Sequence, residues 1–525
     1  MFLILFLLVV LLLFIFIRNK IKQSLQYWKK RGVPHVEAWT IFGNITPVIF
    51  RQKSFPVLLQ DTYAQYSNQR YYGFYQFLKP ALVIKDIDLI KQICIKDFDK
   101  FPDHPYMLPK ESDPFWNGGI FAMEGKEWHD MRTTLSPAFT SSKMKGMFHL
   151  MAECAKDFVD HFENKKSDII TLEMKDELTK LTNDVIASCA FGFKCNSLIQ
   201  NNEFYLTGKK AFDFTGLKGL KMFGAALSPT LMKIFKVTMF SKKTVNFFRR
   251  IVKETIDYRE KTGLIRPDMI HLLREAQKGR LSNDTENSEY NYIGALETDS
   301  NQKKIITDED IVRQAAVFFF GGYDSVASLL CNVVYELAIN SDVQDKLIEE
   351  VDETLVSCNG KITYDSLMGM KYLDMVVSET LRLWTPAFLF SRRCVQPSII
   401  KPVLPGEKPL HIETGLEIII PTFAMHRDPN YFSNPNKFDP ERFSDGNKHN
   451  IQPFTYMPFG IGPRFCIGNR FAILEVKISI FYLLTCFKII PVKKTSIPFV
   501  IDKTSIPLRH EHGYWLGLKR RSTVM

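Results

Sequence analysis

The chain has 525 residues, 46% of them hydrophobic, and a formal charge of +11 at neutral pH. That is ample apolar material for a large core, and no linker divides the main body although the length alone would allow about three domains. The excess cations form no Arg/Lys-rich arm, zinc-finger spacing or ribonucleoprotein-type aromatic motif, which argues against nucleic acid and favours anionic lipid or an acidic protein as partner.

Residues 1–17 contain no polar side chain. This is the low end of what spans a bilayer as a helix. Arg18, Lys20, Lys22, Lys29, Lys30 and Arg31 follow before the first acid, Glu37. Lacking a small-residue cleavage site, the run reads as an uncleaved signal anchor rather than a cleaved signal peptide, with the remainder on the cytosolic side. Residues 18–36 form a basic hinge: Tyr27 and Trp28 suit a membrane interface, and Gly32 and Pro34 end any helix. Residues 37–525 make the body. Its sequons at Asn44 and Asn283 would stay unmodified in the cytosol. Nine scattered cysteines, an odd number, read as thiols in a reducing compartment.

Phe77 to Ile84 reads as a turn and strand, and Asp86 to Ile95 as a helix capped by Asp86. Gly125 to Arg132 is helical. It sets Trp128 and Arg132 on one face, where an indole N–H and a guanidinium can both donate to a carboxylate. Residues 204–252 interleave Phe212, Phe214, Phe223 and Phe235 with Lys218, Lys221, Lys233 and Lys236. The pattern fits both an amphipathic face on an anionic membrane and core helices with snorkelling lysines. Residues 278–304 read as a polar loop.

Thr307 and the acids at 308–310 begin a helix. Val312, Ala316, Phe319, Tyr323, Val326, Leu330 and Val333 repeat at 4-3 spacing, and the all-apolar run around 315–320 predicts burial. Gly321-Gly322-Tyr323-Asp324-Ser325 then interrupts it. Two glycines and an acid in a buried helix cost stability. They fit either a local opening for a closely approaching ligand or a packing pair beside a satisfied Asp324. An acid beside a hydroxyl, as in Asp324 and Ser325, can pass protons through ordered water. Phe318, Phe319, Phe320, Phe388 and Phe390 are candidates for a pocket lining or for plain core. Glu379 and Arg382 are three apart and can pair.

Near the C-terminus, Phe459-Gly460-Ile461-Gly462-Pro463-Arg464-Phe465-Cys466-Ile467-Gly468 places one cysteine between glycine-bearing turns and a following helix. The helix N-terminus favours a thiolate. One thiolate alone is a poor zinc site but a good axial ligand for haem iron; the other reading is a buried cysteine at a strand-to-helix turn.

The pattern Phe-x-x-Gly-x-Arg-x-Cys-x-Gly from Phe459 to Gly468 resembles the haem-binding signature of the cytochrome P-450 family. The resemblance runs the whole chain in the family's order, and the stretch Trp128 to Thr140 is similar to insect microsomal members that oxidise plant toxins and insecticides. It implies a predominantly α fold with small β-sheets, preceded by one N-terminal transmembrane helix. It implies haem b on Cys466, with Phe459, Gly460, Gly468, Gly321 and Gly322 around it and Trp128, Arg132, Arg392 and Arg464 at its propionates. Gly321, Gly322 and Asp324 match the oxygen-activation motif, but Ser325 stands where threonine is usual. Glu379, Arg382 and Arg442 would form a structural triad. A second proline usual in the family is Thr385 here. The region 204–252 would be a channel lid, and Gly513 to Leu516 a hairpin touching substrate. The implied activity is insertion of one oxygen atom from O2 into a lipophilic small molecule, whether xenobiotic, lipid or hormone. Electrons would come from NADPH through cytochrome P-450 reductase, with cytochrome b5 as a second donor, at the endoplasmic reticulum membrane. The rival readings are a haem-thiolate isomerase or dehydratase, a non-catalytic haem sensor, and a membrane-anchored scaffold without haem.

Overall fold

The 4-3 apolar spacing is realised as a 32-residue helix, Asp308–Ile339, in which Val312, Ala316, Phe319, Tyr323, Val326, Leu330 and Val333 are all buried. Thr307 and Asp310 close a reciprocal capping box at its start, each side chain accepting from the other's backbone N–H at 3.1 and 3.0 Å. This core helix packs on the helices Met174–Ile186 and Asn469–Cys486. The computed structural model describes residues 2–106, 108–200, 202–211, 233–279, 306–505 and 508–522. Residues 212–232 of the channel-lid candidate and nearly all of the polar loop lie outside these, as does the sequon at Asn283.

Helices dominate, as expected, and short strands form three small sheets. The strands are β1 (Tyr71–Gln76), β2 (Lys79–Ile84), β3 (Ile169–Glu173), β4 (Phe390–Arg393), β5 (Ser398–Ile400), β6 (Leu410–Ile412), β7 (Glu417–Ile420), β8 (Phe487–Pro491) and β9 (Trp515–Arg520). One sheet has the order β1-β2-β7-β4, a second β3-β9-β8, and the third pairs β5 with β6. In the first, β2 and β7 run parallel, with Leu82 opposite Ile418, while β4 is antiparallel to β7, with Arg392 also opposite Ile418. Asp86 caps the helix after β2 by accepting from the Leu89 N–H at 2.8 Å.

The apolar N-terminal run lies in the helix Phe2–Ser24. Its described large apolar side chains, from Phe2 to Phe16, are exposed. Among the described residues, the core helix is long and apolar enough to cross a membrane, but it is buried in the body. Trp28 departs from the interfacial expectation. It is fully buried, its indole N–H donates to the Phe74 carbonyl at 3.1 Å, and its ring lies where a Cβ on Gly73 would be. The hinge is thus pinned to the first sheet. Asn44 is buried, and its amide donates to the Val36 and Glu37 carbonyls, so the fold itself withholds that sequon.

Candidate active site

Cys466 sits in the turn before the helix Asn469–Cys486, with its backbone N–H on the Phe459 carbonyl at 3.0 Å. Its residue surface is exposed, yet protein surrounds it and burial pushes the thiol pKa up, against the Gly468 N–H and the charge of Arg132, which favour the thiolate. Both observations hold if the exposed surface faces an interior space. The expected thiolate therefore does not arise from the helix terminus alone, because desolvation outweighs it; a metal cation bound to sulfur would reverse the balance.

The glycines divide by role. Gly460 has φ +78°, and no described atom lies within 4 Å of where its Cβ would stand; the same open space surrounds Gly468 and Gly321. Gly462, at φ +72°, instead lets the loop pass the Cys94 carbonyl, which would be 2.1 Å from a Cβ. Gly322 is likewise a packing glycine, since its Cβ would meet Ile186 at 2.9 Å.

Arg132, Arg392 and Arg464 are buried together. Arg464 donates to the Pro102 carbonyl at 2.7 Å and the Met123 carbonyl at 2.8 Å, and pairs with Asp103 at 3.2 Å. Its guanidinium lies over the Trp128 ring at 4.0 Å. Burial brings the Arg464 pKa down to about 9; Arg392 and Arg132 add to the fall while Asp103 opposes it. Arg392 donates to the Ser391 and Ile461 carbonyls. The Arg392 Nε and Arg464 Nη1 are buried without a hydrogen bond among the described residues. Buried cations in such excess fit an anionic, carboxylate-bearing group. With the open glycines and the enclosed cysteine, the residues present fit a haem.

The core helix runs unbroken through Gly321 and Gly322, so the expected local opening is absent. The Ser325 hydroxyl donates to the Gly321 carbonyl one turn back. Asp324 does not point freely into a groove. It pairs with Lys175 at 3.0 Å and Arg509 at 2.7 Å. Burial works to raise its pKa, but the two cations outweigh it and bring the carboxyl to about 2.

Glu379 and Arg382 are both 0% exposed and form a bidentate pair at 2.7 and 2.8 Å, and Arg442 reaches Glu379 at 3.3 Å. The aromatic candidates separate. Phe319 is core, packed on Phe204 and Phe248 at 5.1 and 5.4 Å. Half-buried Phe318 and Phe320 lie against Phe139 and Trp116 at 5.3 and 5.2 Å. Phe388 meets Phe55 at 5.7 Å, and Phe390 opens β4 under the Arg392 guanidinium at 5.4 Å. Sequence reasoning missed Asp103, Lys175 and Arg509, whose loop and helix-end positions carry no motif; charge complementarity to Arg464 and Asp324 was the available signal.

A family model described as Cytochrome P450 matches residues 33–516. "Cytochrome P450 9e2" of Blattella germanica is 43% identical over 512 residues, covering 94% of this chain and 94% of the relative. "Probable cytochrome P450 9f2" of Drosophila melanogaster is 40% identical, covering 94% and 95%. "Cytochrome P450 6k1" of Blattella germanica is 36% identical, covering 93% and 91%. With a family match over most of its length and a cysteine loop, cationic cluster and glycine-bearing helix that suit a haem, the chain belongs to the cytochrome P450 family and is a monooxygenase of that family.

Proposed function

We propose that the protein holds haem b through Cys466, with Trp128, Arg132, Arg392 and Arg464 taking the propionates, and oxidises lipophilic small molecules of xenobiotic, lipid or hormone class. The observation that carries this reading is the buried cationic cluster beside the enclosed Cys466. When bound, the haem supplies the site for O2 activation, and a sulfur ligand favours O–O cleavage. The chain's own part is to bind, orient and move protons. Asp324 leaves one of its two cations to accept or pass a proton, and Ser325, lacking the methyl that would restrict a threonine, gives up its bond to the Gly321 carbonyl to join the relay. Gly321 leaves space for oxygen and substrate, with Phe318, Phe320 and Phe388 as apolar walls. Glu379, Arg382 and Arg442 hold the cysteine side rigid.

Residues 1–17 anchor the protein in the endoplasmic reticulum membrane, supported by the exposed apolar helix and the cations after it. Electrons come from NADPH through cytochrome P-450 reductase or cytochrome b5, whose acidic faces suit the net charge of +11. The test is the absorption of reduced protein under carbon monoxide. A thiolate-type Soret band is expected from the parent and none from Cys466→Ala; an unchanged spectrum in that variant would refute the axial-ligand assignment. Product formation with reductase then separates the monooxygenase from a sensor.

A further inference from the structure

Gln314 is a polar residue with no exposed surface, set in the apolar stretch of the core helix. A buried amide is costly without partners, and both ends of this one are bonded to the same loop. Its Oε1 accepts from the Ile120 N–H and its Nε2 donates to the Gly118 carbonyl, each at 2.9 Å. The loop comes this close because it lacks side chains there: a Cβ on Gly118 would stand 2.6 Å from Arg313, and one on Gly119 2.2 Å from Val317. Arg313, Gln314 and Val317 thus grip residues 118–120 from one side of the core helix. The start of the loop is fixed through Asp113, which accepts from the Trp116 N–H at 3.0 Å and the Met239 N–H at 2.7 Å.

The grip places two aromatic rings. Trp116, just before the glycines, meets Phe320 edge-on at 5.2 Å and 74°. Phe121, just after them, is 45% exposed and lies 5.9 Å from Trp116. Phe320 directly precedes Gly321, where no described atom occupies the space of a Cβ. We propose that Gln314 is a positioning residue for substrate shape: it holds Trp116 and Phe121 by Phe320 as a stiff aromatic wall beside Gly321, which admits narrow flat apolar rings and turns away broader ones. The inference rests on the reading that the space at Gly321 takes substrate. The discrimination depends on an amide that itself touches no substrate. An aliphatic side chain of similar size leaves the Gly118 carbonyl and the Ile120 N–H unpaired against an apolar helix face, so the loop gains by moving out to water. The space then widens on that side and broader ligands enter.

The experiment titrates the haem-loaded full chain with naphthalene and with the broader pyrene, reading binding from the iron spin-state shift. Gln314→Leu should move the ratio of the two dissociation constants roughly tenfold in favour of pyrene, the effect of a lost hydrogen bond. Backbone amide exchange at Ile120 should quicken by a similar factor. Gln314→Glu keeps an acceptor and a donor while its buried carboxyl is protonated, at about pH 6. It should return the ratio to within about twofold of the parent. A merely structural loss weakens both ligands alike and leaves the ratio in place. An unchanged ratio in the Leu variant, or no return in the Glu variant, with a spin-state shift in the parent, would overturn this inference alone. A parent that gives no shift with either ligand, yet keeps its thiolate-type band, would overturn the pocket reading with it. Should the Leu variant fail to load haem, Gly119→Ala, whose Cβ drives the loop off Val317, decides by the same ratio.

Discussion

Glu379→Gln removes one charge from a site closed to water. Glu379 Oε2 accepts from Arg382 Nε at 2.7 Å, and Oε1 accepts from Arg382 Nη2, the Asp439 N–H and Arg442 Nε at 2.8, 2.9 and 3.3 Å. Arg382 is 0% exposed and also holds the His426 and Pro435 carbonyls. Glutamine accepts through one oxygen and turns an amide N–H₂ toward a guanidinium, leaving Arg382 as an uncompensated buried cation. Breaking a buried pair from one side costs about 3–5 kcal/mol, a large fraction of a folding free energy on the order of 5–15 kcal/mol. Urea unfolding of the solubilised haem-loaded protein, followed by the Soret band and far-UV circular dichroism together, should show an unfolding free energy lowered by that amount, read as a lower midpoint at constant slope. Asp61→Asn is the control: Lys53 and Asp61 are 48% and 49% exposed, and such a pair contributes about 0–1 kcal/mol. A loss at Glu379 no larger than the control's would refute the argument that these residues hold the cysteine side together.

Asp324→Asn leaves Lys175 and Arg509 without their shared carboxylate, so product formed per O2 consumed should fall while carbon monoxide binding persists; unchanged coupling would remove Asp324 from the proton path. Gly321→Ala should stabilise the fold by up to about 1 kcal/mol, because no described atom meets the new Cβ and alanine favours the helix. The same change should weaken the spin-state response to a lipophilic ligand, and an unaltered response would place the site elsewhere. Glu336, which accepts from the Trp384 indole N–H at 2.6 Å, has its pKa raised to about 7 by burial, against the hydrogen bonds from Trp384 and Asn340. A raised acid binds its proton more tightly folded than unfolded. Its contribution is therefore complete below the ordinary value of 4.5 and is lost as pH rises to about 7. Stability should fall by an amount on the order of 3 kcal/mol across that window, and Glu336→Gln should flatten the profile; a parental profile in that variant would show that another group titrates.

The legible parts of the chain are those written locally. The core helix declared its start through Thr307 and Asp310 and its burial through the 4-3 repeat, because capping and periodicity act within a few residues. The Glu379–Arg382 pair was equally local. The register of β2 against β7 was not legible, since it joins Leu82 to Ile418 across a stretch no short-range pattern can bridge. Trp28 misled for a related reason: an aromatic among lysines looks interfacial until Gly73 opens a place for its ring. The residues that give Asp324 and Arg464 their electrostatics, Lys175, Arg509 and Asp103, come from separate segments that only the fold brings together.

The same remoteness explains why the site has the charge it has. Three arginines enter one buried region from the helix at 125–135, from β4 and from the cysteine loop, and Asp103 is the acid that meets Arg464 there. Each guanidinium carries a desolvation cost, seen directly in the fall of Arg464 to about 9. A core assembled for stability alone would place apolar side chains at these positions, since replacing buried ions by packed hydrophobes is often neutral or better. The cost makes sense where a dianionic ligand offsets it, and Phe390 beneath Arg392 and Trp128 beneath Arg464 set the guanidinium planes in advance of its arrival. Cys466, whose burial disfavours a lone thiolate, follows the same logic from the other side: its anion becomes the favoured form when a cation binds it. The carboxylate and metal ends of one cofactor would thus meet two sites that are each unfavourable alone.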